Sequence, residues 1–134
     1  MKKSVVILSV LAMLSMSCSE KRANPFFAQS NAPFGAPQFD EIRSTDYLPA
    51  FKEGFAQLKQ EIDAIAANPD APTFENTIEA LEASGRLLSK VGGVFYNLLE
   101  TDADDVMKET EKVVIPMQTE SSSYLYMNDD IFKK

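Results

Sequence analysis

The 134-residue chain has no histidine, one cysteine, and 13 basic side chains against 20 acidic ones. Without histidine, a serine or cysteine nucleophile lacks its usual general base, so no Ser or Cys here reads as catalytic. With one cysteine, no disulfide can close within the chain. The shortage of Lys and Arg, with no basic stripe interleaved with aromatics, argues against a nucleic-acid partner and leaves solubility as the simple meaning of the charge. Long apolar runs are missing too. The longest, residues 5–16, falls short of the ~20 apolar residues that a bilayer span needs.

What the apolar run does fit is an export signal over residues 1–17, with Lys2 and Lys3 as its basic start and Ser15 and Ser17 as small residues near a cut site. Cys18 follows at once, and Leu14-Ser15-Met16-Ser17-Cys18 resembles a bacterial lipoprotein signal, in which the cysteine receives the lipid. Ser15 and Met16 depart from the usual residues of that pattern. Lipidation accounts for an unpaired cysteine in an exported chain. Ser19 after Cys18, rather than Asp, favours by the same resemblance the outer membrane or periplasmic side of the cell envelope. Cleavage before Cys18 leaves 11 basic and 20 acidic residues, a balance of −9.

Residues 18–45 read as a tether passing into an extended arm, because Pro25, Pro33, Gly35 and Pro37 break any regular period. Four aromatics there, Phe26, Phe27, Phe34 and Phe39, imply that the arm lies against something apolar. From residue 46 onward the pattern is all-α: an antiparallel helical hairpin followed by a further, kinked helix. A first helix over residues 47–67 places Leu48, Phe51, Phe55, Leu58, Ile62 and Ile65 on one face, with Pro49 in the first turn and Ser44, Thr45 and Asp46 as candidate caps. Asn68-Pro69-Asp70-Ala71-Pro72 ends it.

A second helix starts near Thr73, with the seam Phe74, Ile78, Leu81, Leu88, Val91, Phe95 and Leu98. Gly85 takes the seam position between Leu81 and Leu88, where close approach of a neighbouring backbone offsets the roughly 1 kcal/mol that a mid-helix glycine costs. Gly92-Gly93 is a second place where this helix can bend. A third helix begins after Thr101, with Asp102, Asp104 and Asp105 at its positive end; its expected buried side is Val106, Val113, Met117 and Tyr124, and Pro116 should kink or split it. Ile131-Phe132 reads as the first apolar pair of another element, so the helical part, residues 46–134, is expected to be incomplete.

The segments Pro33-Phe34-Gly35-Ala36-Pro37, Asp46-Tyr47-Leu48-Pro49-Ala50-Phe51, Pro72-Thr73-Phe74-Glu75-Asn76-Thr77-Ile78, Leu81-Glu82-Ala83-Ser84-Gly85 and Val94-Phe95-Tyr96-Asn97-Leu98 resemble, in order, the N-terminal region of bacterial peptidyl-dipeptidases and oligopeptidase A. These are zinc metallopeptidases of the thimet-oligopeptidase family. The resemblance implies a nearly all-helical, two-lobed fold around a channel for short peptides, with this region in the channel wall. It also implies zinc in the complete enzyme, held by an H-E-x-x-H helix that this chain cannot supply.

No catalytic residue and no metal ligand is therefore assigned. Glu75, Glu79 and Glu82 read as a solvated helix face, with Glu82 and Arg86 an i, i+4 pair. Asp102, Asp104 and Asp105 lack the glycine and terminal Glu of a calcium loop and read as caps. Ser121-Ser122-Ser123 reads as a polar face. The residues singled out are Cys18 for lipidation and Gly85, Phe74, Ile78, Leu81, Leu88 and Phe95 for packing. Two functions remain: the helical N-terminal part of a lipid-anchored zinc peptidyl-dipeptidase or oligopeptidase, inactive alone and completed by a catalytic domain; or a stand-alone lipoprotein module whose helices bind a peptide or a partner.

Overall fold

An Asp two residues into a helix can turn back and take the N–H left free at its start, and Asp46 does so, its carboxylate accepting from the Arg43 N–H at 2.8 Å. In the computed structural model, which describes residues 22–134, this opens α1, Ser44–Ala66. The helix starts earlier than the periodicity predicts, so Pro49 lies in its second turn. A wide π-wound turn, Phe74–Glu79, runs into the short α2, Ala80–Glu82. Then come α3, Arg86–Thr101, α4, Asp105–Tyr126, and the one-turn α5, Asp129–Phe132. Among the described residues there is no strand, and the fold is all-α. The export signal over residues 1–17 and Cys18 lie outside the described residues.

Cross-contacts give the helix directions. Glu61 meets Gly85, Gly54 meets Leu88 and Phe51 meets Phe95, so α3 runs antiparallel to α1. Ser44 meets Asp104 at one end and Lys59 meets Tyr124 further along, so α4 runs parallel to α1. The core is aromatic: Tyr47 and Phe95 have ring centroids 5.0 Å apart, Phe51 and Phe95 5.2 Å, both edge to face. Each such pair adds about 0.5–1.5 kcal/mol beyond the area it buries. Val91, Val94, Met107 and Val114 complete this core.

The second helix is not continuous. Its apolar period runs straight through Ser84 and Gly85, but Gly85 adopts φ +70°, a left-handed conformation that ends one helix and starts the next. Two hydrogen bonds fix the break: Ser84 Oγ donates to the Leu81 carbonyl at 2.6 Å, and the Gly85 N–H donates to Glu61 Oε2 at 2.7 Å. Glu82 and Arg86 thus flank a break and are not a helical i, i+4 pair. The close approach expected at Gly85 occurs at Gly54 of α1, where an added Cβ would lie 2.8 Å from Leu88 Cδ2. Gly92 and Gly93 lie inside an uninterrupted α3.

Two further differences concern α4 and the arm. Met107, Thr110 and Val114 are the buried positions of α4 and Val106 and Val113 are exposed, so the inward face is shifted by one residue in the first half of the helix, whereas Met117 and Tyr124 are half-buried as expected. Pro116 does not split the helix, because a proline there removes a single N–H donor and the rest of the ladder carries the run across it. In the arm, short 3-10 turns at Pro25–Phe27 and Pro33–Gly35 replace a fully extended path, and Phe26 is buried against Tyr47. Phe34, by contrast, stands free in solvent.

Candidate functional surface

The helix-start signal at Thr73 holds up one wall of an open apolar cleft. Thr73 Oγ1 accepts the Asn76 N–H at 3.1 Å, and Asn76 Oδ1 accepts the Thr73 N–H at 2.8 Å, a reciprocal cap. Asn76 Nδ2 also donates to the Ala71 carbonyl, which ties the cap to the proline linker. This turn presents Phe74, 67% exposed, and Ile78, 53% exposed, on one side of a cleft of about 630 Å³. Ile131 and Phe132 of α5 and Tyr126 of α4 form the other side, with Leu81 and Leu125 also in its lining. The Asn128 side chain caps α5, and Lys134 reaches the Asn68 carbonyl at the end of α1. A contiguous apolar cleft of this kind is what a protein surface shows where something else packs.

Of the residues singled out for packing, Phe95 is fully buried in the core and Leu88 is half-buried against Gly54. Leu81 is half-buried at the cleft wall, Phe74 and Ile78 are its exposed members, and Gly85 is the helix break. The structure thus divides the expected seam into a covered part after Gly85 and an open part before it. A second groove, about 310 Å³, lies between α1, α3 and α4 along Phe55, Leu88, Gly92 and Tyr96, and the Tyr96 hydroxyl donates to Gln118 Oε1 at 3.2 Å beside it.

The charged groups serve structure. Arg22 bonds both Asp46 oxygens, and Asp46 has only a small exposed fraction. Asp104 caps α4 by accepting the Met107 N–H at 2.8 Å, and the Ser44 hydroxyl on its other oxygen is the main cause holding its carboxyl below the usual range. Lys59 donates to Tyr124 and Asp63 at 2.8 and 2.9 Å while its ammonium sits 4.1 Å from the Tyr124 ring centroid. The Tyr124 hydroxyl bond, and then Lys59, hold Asp63 low. Among the described residues one buried side-chain polar group stands alone: the Tyr47 hydroxyl finds no hydrogen-bond partner there, and burial, then the Asp46 and Asp104 charges, push its pKa up.

Among the described residues no group of three His, Cys, Asp or Glu side chains could hold a metal ion. Zinc, which the sequence resemblance implies for the complete enzyme, has no fitting donor set here: the whole chain lacks imidazole, Asp104 is committed to a cap, and Glu75, Glu79 and Glu82 are exposed on separate turns. No step of zinc chemistry is routed through these residues. Sequence reasoning missed Gly54, Arg22 and Lys90. Gly54 carries a readable signal, a glycine between Phe51 and Phe55 on the apolar side of α1; Arg22 and Lys90 act on partners 24 and 64 residues away and carry none.

Over 111 residues, 83% of its length, the chain is 40% identical to a dipeptidyl carboxypeptidase of Escherichia coli. The chain is related to the dipeptidyl carboxypeptidases. A second dipeptidyl carboxypeptidase, from Salmonella typhimurium, is 39% identical over the same length. The chain spans 16% of the length of each of these relatives. No protein-family model matches it. Among the described residues no helix is long and apolar enough to cross a membrane.

Proposed function

We propose that this chain supplies the N-terminal helical wall of a peptidase of the dipeptidyl carboxypeptidase type, acting on short peptides, with the zinc site carried by polypeptide outside these 134 residues. The observation that carries the reading is the 40% identity over 111 residues to a relative of which the chain spans only 16%. The open cleft between Phe74 and Phe132 supports it, as the place where further helices of such an enzyme would pack. In this reading residues 1–17 are an export signal, 18–45 a tether and arm, and 46–134 the helical part. Lipid on Cys18 anchors the protein in the cell envelope, with peptide substrates reaching it there.

The test is an exchange. The matching segment of the Escherichia coli enzyme is replaced by the 111 residues of this chain, and dipeptide release from short peptides is followed. An active chimera supports the proposal; a soluble, folded chimera without activity, beside an active parent, refutes it. Residues 19–134 alone, supplied with zinc, should release no dipeptide. Labelled fatty acid should enter the full chain in a bacterial host and be absent from Cys18→Ser.

A stand-alone lipoprotein module that binds a peptide or partner is a second reading, favoured by the closed core of Phe26, Tyr47, Phe51 and Phe95. A cooperative unfolding transition and a monomeric state for residues 19–134 support it, whereas aggregation refutes it.

A further inference from the structure

The arm is held to the helices from Arg22 onward. Arg22 donates to the Glu41 carbonyl at 2.9 Å and grips the Asp46 carboxylate, and Asn24 Nδ2 donates to the Asp46 carbonyl at 2.8 Å. Phe26 is buried, with its ring centroid 5.4 Å from that of Tyr47. From α3, Lys90 Nζ donates to the Phe26 and Ala28 carbonyls at 3.1 and 2.7 Å. The Arg22 and Lys90 contacts are charge-assisted and so the stronger kind of hydrogen bond. A segment with these attachments does not behave as flexible linker.

Cys18 precedes Arg22 by four positions. A fully extended chain advances at most ~3.6 Å per residue, so the two Cα atoms are no more than about 14 Å apart. Resting on the Cys18 anchor of the proposed function, we infer that the helical body sits directly against a lipid surface by its Arg22 pole and does not float at the end of a long tether. That pole consists of the start of α1, the turn through Phe39 and Glu41, and the α3–α4 connection, which the Ser44–Asp104 hydrogen bond closes onto α1. It is acidic on balance, with Asp40, Glu41, Asp102, Asp104 and Asp105 against Arg43 and Lys108, and suits zwitterionic headgroups better than anionic ones. The apolar cleft lies at the other end of α1, where Lys134 meets Asn68. At 1.5 Å per residue the 23 residues of α1 separate the two poles by about 34 Å.

The chain has no tryptophan, so one introduced Trp is a unique energy-transfer donor. Phe39→Trp marks the near pole and Phe132→Trp the far one, both at exposed positions. Each lipidated protein is placed in phosphatidylcholine vesicles carrying a dansyl headgroup acceptor. Transfer from Phe39→Trp should be several-fold stronger than from Phe132→Trp, and a long Gly-Ser spacer inserted between Lys21 and Arg22 should remove most of the difference. Equal transfer from both poles, or Phe39→Trp transfer that the spacer leaves unchanged, overturns the inference. Mass analysis first decides whether Cys18 carries lipid. If it does not, the anchor reading fails by itself, and coupling Cys18 to a maleimide lipid puts the same geometry to the same comparison.

Discussion

Gly54 and Gly93 invite the same substitution with opposite outcomes. Both lie inside long helices, where alanine is favoured over glycine by roughly 1 kcal/mol. At Gly93 an added Cβ meets nothing within 4 Å, so Gly93→Ala should collect that gain. At Gly54 the same methyl would lie 2.8 Å from Leu88 Cδ2, 3.0 Å from its Cγ and 3.2 Å from its backbone nitrogen. The Leu88 side chain can swing away, but the backbone nitrogen belongs to the first turn of α3 and moves only with the helix. Overpacking of this kind costs about 1–3 kcal/mol, so Gly54→Ala should be a net loss of about 1 kcal/mol. For a chain of this size each kcal/mol moves the melting temperature by about 4 °C. Thermal unfolding of residues 19–134 followed by circular dichroism should therefore show Gly93→Ala melting above the parent and Gly54→Ala below it. Leu88→Ala added to Gly54→Ala should cost less than the sum of the two single changes, because it removes the atoms in conflict. If Gly54→Ala stabilises as much as Gly93→Ala, the α1–α3 contact is not close at Gly54 and the helix packing described above is wrong.

Tyr47→Phe removes a buried hydroxyl with no partner among the described residues and should leave stability unchanged or raise it by about 1 kcal/mol; a clear loss in urea titration would reveal a bond to that hydroxyl. Because Ser44 and the Met107 N–H hold the Asp104 carboxyl low, its stabilising effect is complete above the unfolded value near pH ~4 and is lost as pH falls through the lower folded value. Stability should therefore drop on acidification below about pH 4, and Asp104→Asn should flatten that drop when urea midpoints are compared across pH. Phe26→Ala opens the arm and should cost about 3–5 kcal/mol, the range for a buried Phe, with faster protease cleavage between Arg22 and Ala28 as the local readout. Phe74→Ser with Phe132→Ser should leave the melting temperature nearly unchanged, since both side chains are exposed, while abolishing any self-association that the cleft supports.

The helices of this chain could be read in advance wherever one residue type has one structural meaning. The step-3, step-4 recurrence from Leu48 to Ile65 has no strand equivalent, and Thr73 directly after the Pro69–Pro72 linker is a capping residue where a new helix must start. Gly85 was misread because a left-handed glycine and a packed glycine are the same letter, and Leu81 and Leu88, seven apart, keep helical register across the break. In the first half of α4 the buried side is displaced by one residue because Val106 and Val113 repeat with the same period as Met107 and Val114, while Met117 and Tyr124 keep the expected side. Periodicity gives the existence of a face; neighbours choose it. The cleft was legible as composition, in the seam beginning at Phe74 and the pair Ile131-Phe132, but not as one place, since its walls come from residues 72–81 and residues 125–134, far apart in the chain.

Lys90 imposes a schedule on synthesis. The carbonyls that it holds, at Phe26 and Ala28, emerge first, yet the ammonium that clasps them is 64 and 62 residues further along. The Arg22–Asp46 and Phe26–Tyr47 contacts need only α1, but the clasp from Lys90 cannot close while the chain is being made until the first turns of α3 have followed the arm.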